Sequence, residues 1–76
     1  MTTYCIKAEN GWYYLKTIRP LGGGPLESWW VLACDIDAHY QPRMFQSAST
    51  AHKELRHMRK MGRNRTGARV VTWRQP

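Results

Sequence analysis

Acidic residues are scarce in this chain. Five Asp and Glu stand against twelve Lys and Arg, a formal net charge of +7 over 76 residues. Two cysteines, Cys5 and Cys34, are too few for a disulfide scaffold, and they form no Cys-x-x-Cys pair. Long apolar runs are missing as well. None approaches the ~20 residues that a bilayer span needs, so no membrane partner is expected. Met1-Thr2-Thr3-Tyr4 lacks the basic flank and apolar run of a secretory signal. A cytoplasmic protein with free thiols is therefore expected. The length allows a single small domain over 1–76. A domain of this size buries only about 60% of the surface its unfolded chain exposes. That excludes a large enzyme with a deep cofactor cleft, and no cofactor is expected.

What is present is globular in composition: 42% of residues are hydrophobic and 12% aromatic, enough for a small core. Four tryptophans, Trp12, Trp29, Trp30 and Trp73, are many for so thin an interior. They either fill a sheet-on-helix core or stay partly at a surface for a partner, so a monomer and a homodimer both remain open. The charge is asymmetric. Residues 1–55 balance five bases with five acids, whereas 56–76 carry seven bases and no acid. Six of those seven are Arg, suited to bidentate contacts with phosphate or carboxylate. A basic C-terminal third of this kind points to a polyanionic partner.

Strand formers over Thr3–Ala8 and Trp12–Ile18 flank Asn10-Gly11, the strongest short-range hairpin signal. A two-residue loop there sets Ala8 opposite Tyr13, Ile6 opposite Leu15 and Tyr4 opposite Thr17 on the core face. The other face then carries Lys7, Cys5, Tyr14, Lys16 and Trp12. Arg19–Ser28, with Pro20, Gly22-Gly23-Gly24 and Pro25, is a long loop. It lacks the Lys-Ser/Thr and following helix of a phosphate-cradling loop. Ser28–Ile36 reads as a third strand, and 37–43 as a loop stopped by Pro42.

The helix opens at Phe45-Gln46-Ser47, with Ser47 as N-cap and Phe45 packing back on the first turn. Ala48, Ala51, Leu55 and Met58 make a narrow apolar stripe, with Met61 at its edge, and Gly62 is the natural C′ residue. On the opposite face Lys53, Arg56, Lys60 and Arg63 fall at i, i+3, i+7 and i+10 as a basic ridge, with Arg59 and Arg65 beside it. A final strand over Ala68–Trp73 and the tail Arg74-Gln75-Pro76 complete a β-β-β-α-β order. The fold class expected is α+β, a small antiparallel sheet packed on one helix.

Catalytic constellations are hard to assemble from these residues. His52 and His57 are five apart and do not share a helix face, and Cys34 with His39 straddles a strand and a loop, so no metal site is assigned. Asp35 and Asp37 are the only close carboxylate pair, without the third acid of a metal-dependent nuclease. His39 beside Tyr40, or His57 beside Arg56, keeps acid–base chemistry of the small-ribonuclease type as a third alternative. Nothing else suggests an enzyme, and binding is the expected mode of action.

The hairpin around Asn10-Gly11, the Phe45–Met61 helix with Ser47 and Ala51, and the closing strand Ala68–Trp73 together resemble small phage-encoded proteins, including anti-CRISPR proteins. The resemblance spans nearly the whole chain as an architecture. It implies a non-enzymatic counter-defence inhibitor that docks on a host CRISPR effector nucleoprotein complex. Members of that group share no functional residues, so none is carried over. The β-β-β-α order is also similar to three-stranded-sheet DNA-binding domains, such as those of plant AP2 factors and the N-terminal domains of phage integrases. That similarity implies an aromatic and basic sheet face, here Trp12, Tyr14, Lys7 and Lys16. The chain departs from it in placing most bases on the helix and C-terminus. The leading expectation is thus an inhibitor docking through the ridge Lys53, Arg56, Lys60 and Arg63, helped by Arg59 and Arg65. Trp12, Tyr14 and Trp29 would be secondary aromatic contacts. Direct nucleic-acid binding through the same ridge is the alternative.

Overall fold

The computed structural model describes residues 2–73; the tail expected at 74–76 lies outside them. Four strands form one antiparallel sheet, β1 (Tyr4–Lys7), β2 (Trp12–Ile18), β3 (Glu27–Leu32) and β4 (Arg69–Thr72), in the order β3-β2-β1-β4. One helix, α1 (Ala48–Lys60), packs on one face, so the α+β class expected from the sequence is the observed one. The core joins Ile6 and Ala8 of β1 and Tyr14 of β2 to Ala51, Leu55 and Met58 of α1, closed by Phe45 and Ala68.

The hairpin register differs from the two-residue expectation. Lys7 pairs with Tyr13, and the Ala8 N–H donates to the Trp12 carbonyl at 2.7 Å. Glu9 joins Asn10 and Gly11 in the connection, which is therefore three residues long. Asn10 and Gly11 do take positive φ, 64° and 77°, as the sequence signal requires. The added residue shifts the pairing by one, and a one-residue shift turns the β2 side chains ahead of the bulge, Trp12 to Tyr14, to the opposite face. Trp12 and Tyr14 consequently point toward α1, and Tyr13 points away. The β1 faces are as expected, with Tyr4, Ile6 and Ala8 inward.

A bulge at Leu15 then breaks the β2–β3 ladder. Tyr14 pairs with Trp30 and Lys16 with Trp29, leaving Leu15 unpaired between them. Beyond Lys7–Tyr13 the strands β1 and β2 part, and the segment before α1 fills the fork. Phe45 and Tyr4 exchange both backbone hydrogen bonds at 2.8 and 2.9 Å, and the Arg43 N–H donates to the Tyr14 carbonyl at 2.9 Å. The third strand stops at Leu32 rather than reaching Ile36, because Ala33–Asp35 curl into a 3-10 turn.

Helix α1 is terminated at both ends as its sequence indicates. Ser47 caps it, its hydroxyl accepting from the Thr50 N–H at 3.2 Å. At the other end Gly62 takes φ 71°, its N–H bonds the Arg59 carbonyl, and the Arg63 N–H bonds the Met58 carbonyl at 2.8 Å. This pair of bonds is a Schellman motif. Gly67 lies where the turn before β4 crosses the hairpin connection. A Cβ at that position would overlap the Glu9 side chain.

Because Asn10 holds φ 64°, Asn10→Val should destabilise the fold by about 1–3 kcal/mol, whereas Asn10→Gly should be tolerated. Urea unfolding of the two variants measures the difference. Equal midpoints would mean that this turn does not set the register.

Candidate nucleic-acid interface

The Schellman turn decides where the last residue expected in the ridge goes. Arg63 leaves the helix pointing back over the sheet end rather than outward. Its guanidinium donates to Thr17 Oγ1 at 2.8 Å and Ser28 Oγ at 3.3 Å, and its Nε is buried without a partner. Thr17 Oγ1 also meets the Tyr14 hydroxyl at 2.5 Å, which in turn donates to Glu54 Oε1 at 3.4 Å. Arg63 is therefore a strut between α1 and strands β2 and β3, which corrects its assignment to the outer ridge. Arg59 has a double position: its side chain is exposed, yet one guanidinium nitrogen bonds the Ala68 carbonyl at 2.8 Å.

Lys53, Arg56 and Lys60 are exposed along the outer side of α1, with His57 between them. Together with Thr50 and Glu54 they line a shallow depression of about 430 Å³. Glu54 is half-buried and accepts from the Tyr14 hydroxyl, so one carboxylate lies beside the cations in this depression. Arg65 sits elsewhere, its guanidinium 4.2 Å from the Trp12 ring centroid. That contact covers Trp12, which packs half-buried against the core, and Tyr14 has no exposed surface at all (0%). Neither is an exposed sheet aromatic; the register shift moved both inward. Trp29 stays out, 44% exposed, with Lys16 Nζ 5.1 Å from its ring.

The same shift turns a ring that the sequence pattern had placed inward to the other face of the sheet, where it is half-buried. Tyr13 lies on the sheet face away from α1, with Lys7 Nζ 5.5 Å over its ring. Trp73 meets Tyr13 edge to face at 5.7 Å. Counting the connection as three residues instead of two would have found Tyr13.

Cys5 lies on this face of β1, paired with Val71, and has 0% exposure, whereas Cys34 is exposed. Burial pushes the Cys5 thiol from 9.0 up to about 11, with the Lys7 charge opposing it. Burial also raises the Tyr14 hydroxyl. Among the described residues, no group of three His, Cys, Asp or Glu could hold a metal ion, and no helix is long and apolar enough to cross a membrane.

The thiol shift fixes a sign for the pH dependence. The unfolded chain loses the Cys5 proton near pH 9.0 and the folded chain only near 11. Stability from this group is full below 9 and declines as pH rises from about 9 to 11. Melting temperature against pH should fall across that window and fall less in Cys5→Ala. A disulfide-exchange reagent at neutral pH should modify one thiol per native chain, Cys34, and two after denaturation. Rapid modification of both in the native protein would contradict the buried position of Cys5.

No protein-family model matches the sequence, and neither a curated protein nor a solved structure shows significant similarity to it.

Proposed function

We propose that this chain acts by binding rather than by catalysis, and that it is a nucleic-acid-binding protein whose α1 outer face contacts phosphate. One observation carries this: Lys53, Arg56 and Lys60 stand exposed on one side of a capped 13-residue helix, and the one acid beside them, Glu54, is half-buried and engaged by the Tyr14 hydroxyl. A helix of that length runs about 20 Å, long enough to follow several phosphates of a duplex groove. The absence of chemistry is supported by His39, His52 and His57, all exposed and on separate stretches of surface.

A second reading is the counter-defence inhibitor: a protein that docks on a host CRISPR effector nucleoprotein complex in the host cytoplasm. Met61 favours it. This side chain is 57% exposed at the C-terminal end of the ridge, and an apolar side chain next to cations suits a protein interface better than phosphate alone.

Reversing Arg56 and Lys60 to Glu should leave folding nearly unchanged, within about 0.5 kcal/mol, because both are exposed. It should abolish duplex binding. For the wild type, log affinity for a duplex should fall with log salt at about −0.9 per phosphate contacted, and Arg56→Gln should flatten that slope by about one. A protein that shifts no duplex even at low salt, yet is retained by an effector complex after nuclease treatment, would replace the first reading with the second. A charge-reversed variant that binds duplex at full affinity would remove α1 from the interface.

A further inference from the structure

Helix α1 covers only one face of the sheet. On the other face, strand alternation and the observed register bring a cross-strand row together: Val31, Tyr13, Lys7 and Arg69, one residue from each strand. Trp29 and Lys16 lie beside this row, paired with each other across β3 and β2. Tyr13 on β2 and Trp73 after β4 meet over the intervening strand β1, and Cys5, the β1 residue on this side, has no exposed surface. Rings and cations thus share this face, Trp29, Lys16 and Arg69 exposed and Tyr13, Trp73 and Lys7 half-buried, and two of the cations sit over rings, Lys16 on Trp29 and Lys7 on Tyr13. Among the described strand residues, the carboxylate on this face is Glu27, at its margin opposite Ile18.

We propose that this open sheet face is a second binding site, for single-stranded nucleic acid, separate from the α1 ridge and on the opposite side of the molecule. Bases stack on Trp29, Tyr13 and Trp73, and phosphates are taken by Lys16, Lys7 and Arg69. The chemistry selects the occupant. Rings with cations over them match a ligand that alternates flat π-faces with negative charge, which is an unpaired strand. A duplex stacks its base faces inside and offers none to these rings. A second copy docking face to face would bring the same three cations against one another around a two-fold axis, which is unfavourable. Rings on the surface of a four-stranded sheet can accept any base, so little sequence preference is expected.

Tryptophan fluorescence titrated with an oligothymidylate and an oligouridylate of about 15 nucleotides tests the site. Either strand should quench the emission, and an oligodeoxyuridylate compared with the oligouridylate, which differ in the sugar alone, tells whether the 2′-hydroxyl is read. Trp29→Ala, on an edge strand and partly exposed, should weaken binding at least about fivefold and leave duplex affinity unchanged. Tyr13→Leu should weaken it similarly, with circular dichroism confirming the fold. The Arg56→Glu, Lys60→Glu double variant should keep its quenching amplitude at saturating oligonucleotide even where duplex binding is lost, so the two sites fail independently. Wild-type oligonucleotide affinity in folded Trp29→Ala and Tyr13→Leu would overturn the proposal. So would a sedimentation dimer that Trp29→Ala dissolves, because a second copy would then own the face.

Discussion

Between β1 and β2 the chain turns over three residues instead of two, and the period-two alternation of a strand makes that one residue decisive. With Glu9 inside the connection, Trp12 and Tyr14 face α1 and Tyr13 faces away. In the core Tyr14 takes the place expected of Tyr13 and the half-buried Trp12 joins it, while Thr17 stays on the α1 side. Tyr14 and Trp30 then meet edge to face at 5.6 Å across β2 and β3. The same turn puts a ring beside Lys7 on the open face. One backbone choice therefore sets the content of both surfaces of the sheet.

Burying Tyr14 creates an obligation, since its hydroxyl must find partners inside the seam between helix and sheet. The Leu15 bulge meets it. By skipping one residue, β2 returns Thr17 to the α1 side, where it meets both the Tyr14 hydroxyl and the Arg63 guanidinium. Arg63 can reach that point only because Gly62 turns the chain back at the helix end. The bulge also lets β1 and β2 diverge, and the Arg43–Phe45 segment enters the gap with three backbone hydrogen bonds. Hairpin, bulge, helix stop and wedge form one mechanical unit, so a cation that helical spacing alone would place in solvent works as a strut.

Local signals with a short-range cause were legible in the sequence. Ser47 as N-cap, Gly62 as C′ residue, the Ala51–Leu55–Met58 stripe and the β-β-β-α-β order all depend on residues within a few positions of one another. Asn10-Gly11 was also legible as a turn, but not its length. A dipeptide that takes positive φ fits a two-residue or a three-residue connection equally well, and only the packing of Tyr14 against α1 separates them. The candidate site inherited that ambiguity. Lys53, Arg56 and Lys60 follow from helical period alone and lie where the period puts them. Arg63 lies past the helix stop, where period no longer applies. Trp12 and Tyr14 were assigned to the open face by a register one residue out. The early end of β3 at Leu32 has no comparable cue, since Ala33-Cys34-Asp35 carries no Gly or Pro.

The two cationic faces stand on opposite sides of a molecule whose shortest dimension is 22 Å. At physiological salt the Debye length is about 8 Å, so charge on the outer side of α1 is largely screened from charge on the open sheet face. The two surfaces therefore act as separate short-range fields. Their chemistry differs accordingly. The helix offers cations and a histidine on a convex rod, which suits phosphate but gives a base nothing to stack on. The sheet offers rings, with a lysine over Trp29 and over Tyr13. A strongly basic composition on its own points only to a polyanion. On the proposed reading, the nucleic-acid structure each surface would take is set by what lies between the charges, methylene stems and imidazole on the helix, and indole and phenol rings on the sheet.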